Sequence, residues 1–320
     1  MTYRELLTEG VSYLNDNGLT EYESNAWILF EFVFDMKRHQ YFMKMNDAVT
    51  DEAAVVRYRE CLTKRAERIP VQYITGTQDF MGMTFTVNEN VLIPRQDTEV
   101  LVENVLKTVE EIKRTLQTTS GLNGSQNNIV CKADDNDKMT ESIYENVRVL
   151  DMCTGSGCIA ISVSRLGNVD VTAVDISEKA LEVAKANARN LGADRVDFIQ
   201  SDLFDKINVN NGVEPSPRYD IIVSNPPYIP SEVVDGLMPE VREHEPRLAL
   251  DGTEDGLEFY RRITEESVKY INKNGWLMYE IGCEQGEDVS RIMLDNGYED
   301  VRVIKDLAGL DRVVVGKIYK

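Results

Sequence analysis

Apolar residues recur at intervals of three and four near the start of the chain, at Leu6, Leu7, Val11 and Leu14, and again at Trp27, Phe30, Val33 and Phe34. Such spacing gathers side chains on one helix face, so residues 1–70 are expected to form a small helical domain. Thr50-Asp51-Glu52 offers a cap and an acidic first turn for a further helix through Val55, Val56 and Leu62, which Pro70 ends. Over 71–94 the texture changes to Tyr73, Ile74, Phe80, Phe85, Val87, Val91, Leu92 and Ile93, broken by Gly76, Gly82 and Asn88-Glu89-Asn90. That pattern predicts a β-hairpin joining two domains. Thr98 then opens a long amphipathic helix to about Leu116. Residues 117–146 are rich in Ser, Thr, Asn, Gly and Asp and poor in core formers, so a mobile surface insertion is expected there.

After Val147 the periodicity alternates between strand and helix. Strands are expected near 147–151, 171–175, 196–199, 220–224 and 275–281, with helices near 158–166, 177–191, 255–273 and 284–295. This alternation predicts an α/β domain over 95–320, with a parallel sheet covered by helices on both faces. Two last apolar runs, 301–304 and 312–316, have no helix-length segment between them and are expected to pair antiparallel, which makes seven strands.

The 320-residue length agrees with two domains, and 42% hydrophobic with 28% charged residues is an ordinary globular composition. Charge narrows the partners. With 35 Lys plus Arg against 55 Asp plus Glu, the formal net charge of -20 repels phosphate backbones, so direct nucleic-acid binding is not expected. A basic protein partner suits it better. The first residues lack a signal-peptide layout, and the most apolar run, Trp27 to Phe34, contains Glu31, so a cytoplasmic protein without membrane contact is expected. Five cysteines without C-x-x-C spacing predict reduced thiols and no metal site.

Candidate chemistry begins where the first strand of the sheet, Val147 to Asp151, runs into Met152-Cys153-Thr154-Gly155-Ser156-Gly157 and the helix from Cys158. Glycines at a strand-to-helix turn let the backbone approach a ligand, and the helix N-terminus offers free N–H groups to an anion such as an amino-acid carboxylate. Gly155-x-Gly157-x-x-Ala160 also fits a relaxed dinucleotide fingerprint, so the turn alone leaves the ligand open. Asp151 either accepts a hydrogen bond from a ligand ammonium or supports the loop backbone. Asp175, ending the second strand, is placed to accept from ribose hydroxyls, Ser177 being the better helix cap. Asp202, after the third strand, is either a receiver for an adenine amino group or a solvated turn residue.

The fourth strand runs into Asn225-Pro226-Pro227-Tyr228, which should open on the same rim as the glycine turn. An amide or aromatic amine nitrogen is a weak nucleophile because its lone pair is delocalised, and acceptors must hold its hydrogens. The Asn225 side-chain oxygen and the Pro226 carbonyl can do so without a charge, and Tyr228 supplies a flat face for the substrate plane. The prolines fix φ and remove competing donors. Asn225, Pro226 and Tyr228 are therefore the catalytic candidates, with Pro227 completing the substrate loop. His39 and His244 are the only histidines and are expected on the surface or in packing.

From about Arg65 to the C-terminus, apart from 117–146, the chain resembles the peptide-chain-release-factor glutamine methyltransferases, the HemK or PrmC family. The blocks are Arg68-Ile69-Pro70-Val71-Gln72-Tyr73-Ile74-Thr75-Gly76, Val91-Leu92-Ile93-Pro94-Arg95-Gln96-Asp97-Thr98-Glu99, Asn225-Pro226-Pro227-Tyr228-Ile229, Glu245-Pro246-Arg247-Leu248-Ala249-Leu250, Asp255-Gly256-Leu257 and Glu280-Ile281-Gly282. The resemblance implies a seven-stranded Rossmann-like class I methyltransferase domain that uses S-adenosyl-L-methionine and releases S-adenosyl-L-homocysteine. It implies as substrate the glutamine side-chain amide in the Gly-Gly-Gln loop of bacterial class-1 release factors, recognised in part by the N-terminal domain. It implies cofactor contacts at Asp151, Cys153, Thr154, Gly155, Ser156, Gly157, Asp175, Asp202, Leu203 and Asn225. Departures are Cys153 at a common glycine position, tolerable if its backbone is ordinary, Gln96 at a common proline, and Leu203 where some relatives carry an aromatic. The resemblance also implies that Pro94-Arg95 and Thr98-Glu99 line the active-site mouth, but Thr98 equally suits a helix cap and Arg95 an ordinary solvated arginine. Adenine-N6 methylation of DNA or RNA, which shares the substrate loop, is the competing activity. A non-catalytic adaptor and a dinucleotide oxidoreductase are the more distant readings.

Overall fold

The computed structural model describes residues 1–122, 147–207 and 218–319. Helices α1 (Tyr3–Asp16), α2 (Tyr22–Phe34), α3 (Arg38–Lys44) and α4 (Glu52–Ala66) enclose an N-terminal core of Leu6, Leu14, Trp27, Phe30, Tyr58 and Leu62. Thr2 and Glu5 form a capping box at α1, and Asp51 caps α4 through Ala54 N–H. α1 and α4 approach closely because Gly10 has no side chain; a Cβ there would lie 2.2 Å from the Tyr58 hydroxyl. Arg65 leaves this domain to pair with Glu240 at 2.9 Å, while its Nε donates to Asn25 Oδ1.

The hairpin expected over 71–94 is shorter than its sequence pattern. Residues 71–75 form a short helix, α5 (Val71–Thr75), which starts after Pro70 and ends at Gly76 with φ +76°. Pro70 presets the helix entry and Val71 packs into the N-terminal core, so tertiary contact overrides the strand preference of Val71, Tyr73 and Ile74. Only β1 (Thr77–Phe80) and β2 (Met83–Thr86) form the hairpin, and Phe80 and Phe85 join the core of the larger domain. α6 (Thr98–Leu122) also runs past its expected end near Leu116; residues 123–146 of the expected insertion lie outside the described residues.

The remaining elements in chain order are β3 (Arg148–Met152), α7 (Cys158–Gly167), β4 (Asp170–Asp175), α8 (Glu178–Leu191), β5 (Val196–Gln200) and β6 (Tyr219–Ser224). Three short helices follow, α9 (Ser231–Val234), α10 (Pro239–His244) and α11 (Arg247–Leu250), then α12 (Glu258–Ser267), β7 (Ile271–Glu280), α13 (Gly286–Asp295), β8 (Glu299–Lys305) and β9 (Asp311–Lys317). α12 is shorter than the expected 255–273, because its tail residues enter a long β7. The seven-stranded sheet has the order β5-β4-β3-β6-β7-β9-β8, parallel except that β9 runs antiparallel to both β7 and β8. Val149, Val171, Ile221 and Met278 face a core that includes α6 and α7, whereas Leu150, Val174, Ile222 and Leu277 face one that includes α12 and α13. Strand order reverses at β3, with β4 on one side and β6 on the other, and such a switch point opens a crevice at the strands' carboxyl ends. No described helix is long and apolar enough to cross a membrane.

Candidate active site

Register brings the candidate residues to one rim. Met152 pairs with Val174 and with Ser224, and Ser224 pairs with Tyr279, so Cys153, Asp175, Asn225 and Glu280 stand side by side at the strand ends. The condition under which Cys153 replaces a glycine without cost is not met: its φ is +64°, as a glycine's would be. Neighbouring bonds hold this unfavourable turn in place, with Ser224 Oγ donating to Met152 O at 2.7 Å and Thr154 N–H to Val174 O at 2.9 Å. Leu203 is likewise left-handed at φ +45°.

Gly155 (φ +55°) donates its N–H to Asp175 Oδ2 at 2.8 Å, and a Cβ on it would meet nothing within 4 Å, so its backbone borders open space. Gly157 (φ +80°) is needed for a different reason, since a Cβ would approach Ile161 Cδ1 to 3.0 Å and Ala184 Cβ to 3.1 Å. Asp151 is fully buried beneath this turn. Its Oδ2 accepts from Thr154 Oγ1 at 2.6 Å and from Ala160 N–H in the first turn of α7 at 3.1 Å, whereas Oδ1 has no partner. Burial pushes its carboxyl up to about 7, against the pull of those two bonds. Asp175 accepts from Gly155 N–H and, through Oδ1, from Ser177 N–H at 2.9 Å; Ser177 itself caps α8.

Asp202 sits at a bend with its side chain partly exposed, but it is not free. Arg262 on α12 donates to its Oδ1 at 3.0 Å. Cys153, Gly155, Asp175, Asp202, Leu203, Asn225 and Pro227 all line one cavity of about 230 Å³. Its opposite wall is Val91 and Leu92 after the hairpin, Pro246 and Leu248 around α11, and Phe259 and Arg262 on α12. Asp151, Thr154, Ser156, Gly157, Pro226 and Tyr228 are not among the residues that line it. Glu245 ties the two parts of the far wall together, accepting from Ile93 N–H and from Arg95. Glu99 accepts from Met81 N–H and so serves the hairpin.

Asn225 Nδ2 donates to the buried Thr98 Oγ1 at 3.4 Å. Pro226 and Pro227 are buried, and Tyr228 is half-buried with a hydroxyl pushed up to about 12 by burial. The Tyr228 backbone is clamped: Gln285 Nε2 donates to its carbonyl at 3.0 Å, and Gly252 and Gly256 lie flat against it. A Cβ on Gly256, at φ +73°, would sit 2.3 Å from Tyr228 O, so Gly256→Ala should cost about 3 kcal/mol of stability from overlap plus left-handed strain. Urea denaturation measures this, and a loss under about 1 kcal/mol would show that the loop yields freely.

Several residues here carry no local signal in the sequence. Asn187 on α8 donates to both Thr86 O and Ser156 O at 3.0 Å and accepts from Thr86 N–H at 2.8 Å, tying hairpin to glycine turn. Its sequence position reads only as part of an amphipathic helix. Arg262 reaches Asp202 across 60 positions. Glu280 stands in a family block, yet only the β6–β7 register places it beside Asn225. Among the described residues no group of three or more His, Cys, Asp or Glu could hold a metal ion, and Cys61, Cys153, Cys158 and Cys283 are free.

Residues 5–76 match the PrmC N-terminal domain family, and residues 143–249 match a methyltransferase domain family. The chain is 35% identical over 318 residues to the release factor glutamine methyltransferase of Clostridium acetobutylicum, covering 98% of each protein. It is 37% identical over 320 residues to that of Bacillus anthracis, covering 99% of this chain and all of the other. A solved release-factor-specific protein-(glutamine-N5) methyltransferase from Alicyclobacillus acidocaldarius is 27% identical, with a TM-score of 0.35 over 74% of this chain and 100% of that one. Identity sustained end to end, over the helical domain and the sheet alike, means that this chain belongs to the release factor glutamine methyltransferase family.

Proposed function

We propose that this protein transfers the methyl group of S-adenosyl-L-methionine to the side-chain amide nitrogen of the glutamine in the Gly-Gly-Gln loop of bacterial class-1 release factors. The observation that carries this reading is the placement of Asn225 on the wall of the same cavity as the glycine turn, across the switch point of the sheet. The residues fit the cofactor. Asp151 has an orphaned buried acceptor, Gly155 borders open space, and Asp175 and Asp202 line the cavity at the ends of the two next strands.

In this reading the turn Cys153-Thr154-Gly155-Ser156-Gly157 shapes the amino-acid end of the site, with Asp151 attracting the ammonium. Asp175 accepts from the ribose. Asp202, held by Arg262, and Leu203 bound the adenine. Bound there, the cofactor supplies an electrophilic methyl whose leaving group is a neutral thioether. Asn225 Oδ1 and the Pro226 carbonyl accept the amide hydrogens and Tyr228 packs against the amide plane, which would align the nitrogen with that methyl. Proton loss from that nitrogen to water completes the transfer, so no histidine is required. Residues 1–70 recognise the release factor, and the segment 71–94 connects them to the catalytic domain over 95–320.

Mass spectrometry of a purified release factor after incubation with enzyme and cofactor tests the reading, which expects one added methyl on that glutamine. Methylation of nucleic acid with an untouched release factor would make adenine the substrate. Binding of NAD in preference to S-adenosyl-L-homocysteine would return the glycine turn to the dinucleotide enzymes.

A further inference from the structure

Glu280 ends β7 one position beyond the Ser224–Tyr279 pair, which sets it next to Asn225. It is only 2% exposed, and its Oε2 has no hydrogen-bond partner. Its carboxyl faces Thr98 and Asn225, and both favour the charged form. A buried carboxylate with one oxygen unpaired is costly to keep, and here it adjoins the substrate loop.

An asparagine amide has two ends of nearly equal size, one accepting and one donating. Holding a substrate N–H requires that Asn225 present Oδ1; the flipped amide would set hydrogens against hydrogens. The Thr98 hydroxyl cannot choose between the two, because it both donates and accepts. An ionised carboxylate only accepts, so beside Asn225 it selects the orientation whose NH2 points inward. We propose that Glu280 is a positioning residue for methyl transfer, its carboxylate fixing the Asn225 amide so that Oδ1 is turned to the substrate. This rests on the amide-methylation reading above.

Protonated, Glu280 becomes able to donate to Oδ1 and the selection is lost. Burial pushes its carboxyl up to about 7. The groups facing it are Arg312 on β9, which with Thr98 and Asn225 favours ionisation, and Asp97 before α6, which opposes it. Tyr228, Tyr260 on α12 and Cys158 on α7 surround it as neutral groups, and the Tyr260 hydroxyl donates to its backbone carbonyl at 2.9 Å. Correctly held Asn225 therefore prevails above neutrality and declines as pH falls.

The test measures kcat on a release factor across pH, with the affinity for S-adenosyl-L-homocysteine measured alongside. Wild type should lose kcat as pH falls through about 7. Glu280→Gln should lower kcat by roughly tenfold to a hundredfold and abolish that acid limb, with cofactor affinity within about twofold. Unchanged kcat with an unchanged acid limb would overturn the proposal. Should Glu280→Gln fail to fold, Thr98→Val decides the matter. Loss of the hydroxyl that favours the carboxylate should move the acid limb to higher pH, and an unmoved limb counts against the proposal. A wild type inactive on the release factor at every pH overturns the parent reading and this one together, whereas an active wild type without an acid limb overturns this one alone.

Discussion

Asn225→Ala is expected to lower kcat for release-factor methylation by about a thousandfold while S-adenosyl-L-homocysteine still binds within about threefold of wild type. The amide nitrogen has no lone pair to offer until its hydrogens are held and its plane is set, and Asn225 carries the side-chain acceptor of the loop. Removing it costs about 4 kcal/mol of transition-state stabilisation. The fold should tolerate the change, since the side chain's bond to Thr98 is long, at 3.4 Å. Single-turnover methylation separates the chemical step from binding. A variant that retains most of its kcat would remove Asn225 from the mechanism, and one that loses cofactor binding in proportion would make it a cofactor residue only.

Asp151→Asn should weaken binding of S-adenosyl-L-homocysteine by more than about a hundredfold, or about 3 kcal/mol, as seen by titration calorimetry. The buried Oδ1 is the only acceptor of Asp151 left unpaired, and an amide there loses the charge that attracts an ammonium. The pH dependence is a sharper diagnostic. With the folded-state carboxyl raised from 3.8 to about 7, the native protein holds this proton more tightly than the unfolded chain. Its contribution to stability is therefore fully present below the unfolded value and is lost as pH rises through about 7. Ligand binding has the opposite sign, because an ammonium favours the ionised form. Affinity should climb with pH through neutrality in wild type and stay level across that range in Asp151→Asn. Equal slopes in the two proteins would show that Asp151 supports the turn without meeting the ligand.

What was legible in the sequence was whatever depends on neighbours along the chain. The glycine turn, the strand-end aspartates and Asn225-Pro226-Pro227-Tyr228 each announce themselves within a few positions, and strand and helix alternation led to the seven-stranded sheet. Features that depend on contact across the fold were not legible. Val71, Tyr73 and Ile74 have strand chemistry, yet packing against the N-terminal core after Pro70 makes them helical. A cysteine at position 153 says nothing of its backbone, and the glycine-like turn it adopts is held by the bonds around Met152 and Thr154. Arg262 on α12, as the partner of Asp202, lies 60 positions away and is invisible to a local reading.

Asn187 joins the hairpin at Thr86 to the glycine turn at Ser156 through a single side chain. Linkage makes such a joint symmetrical: whatever free energy occupancy of the turn lends to the hairpin, ordering of the hairpin returns to the turn's ligand in equal measure. Slower hydrogen exchange at the Thr86 amide on loading the nucleoside site would reveal the joint, and its unaltered exchange would sever it.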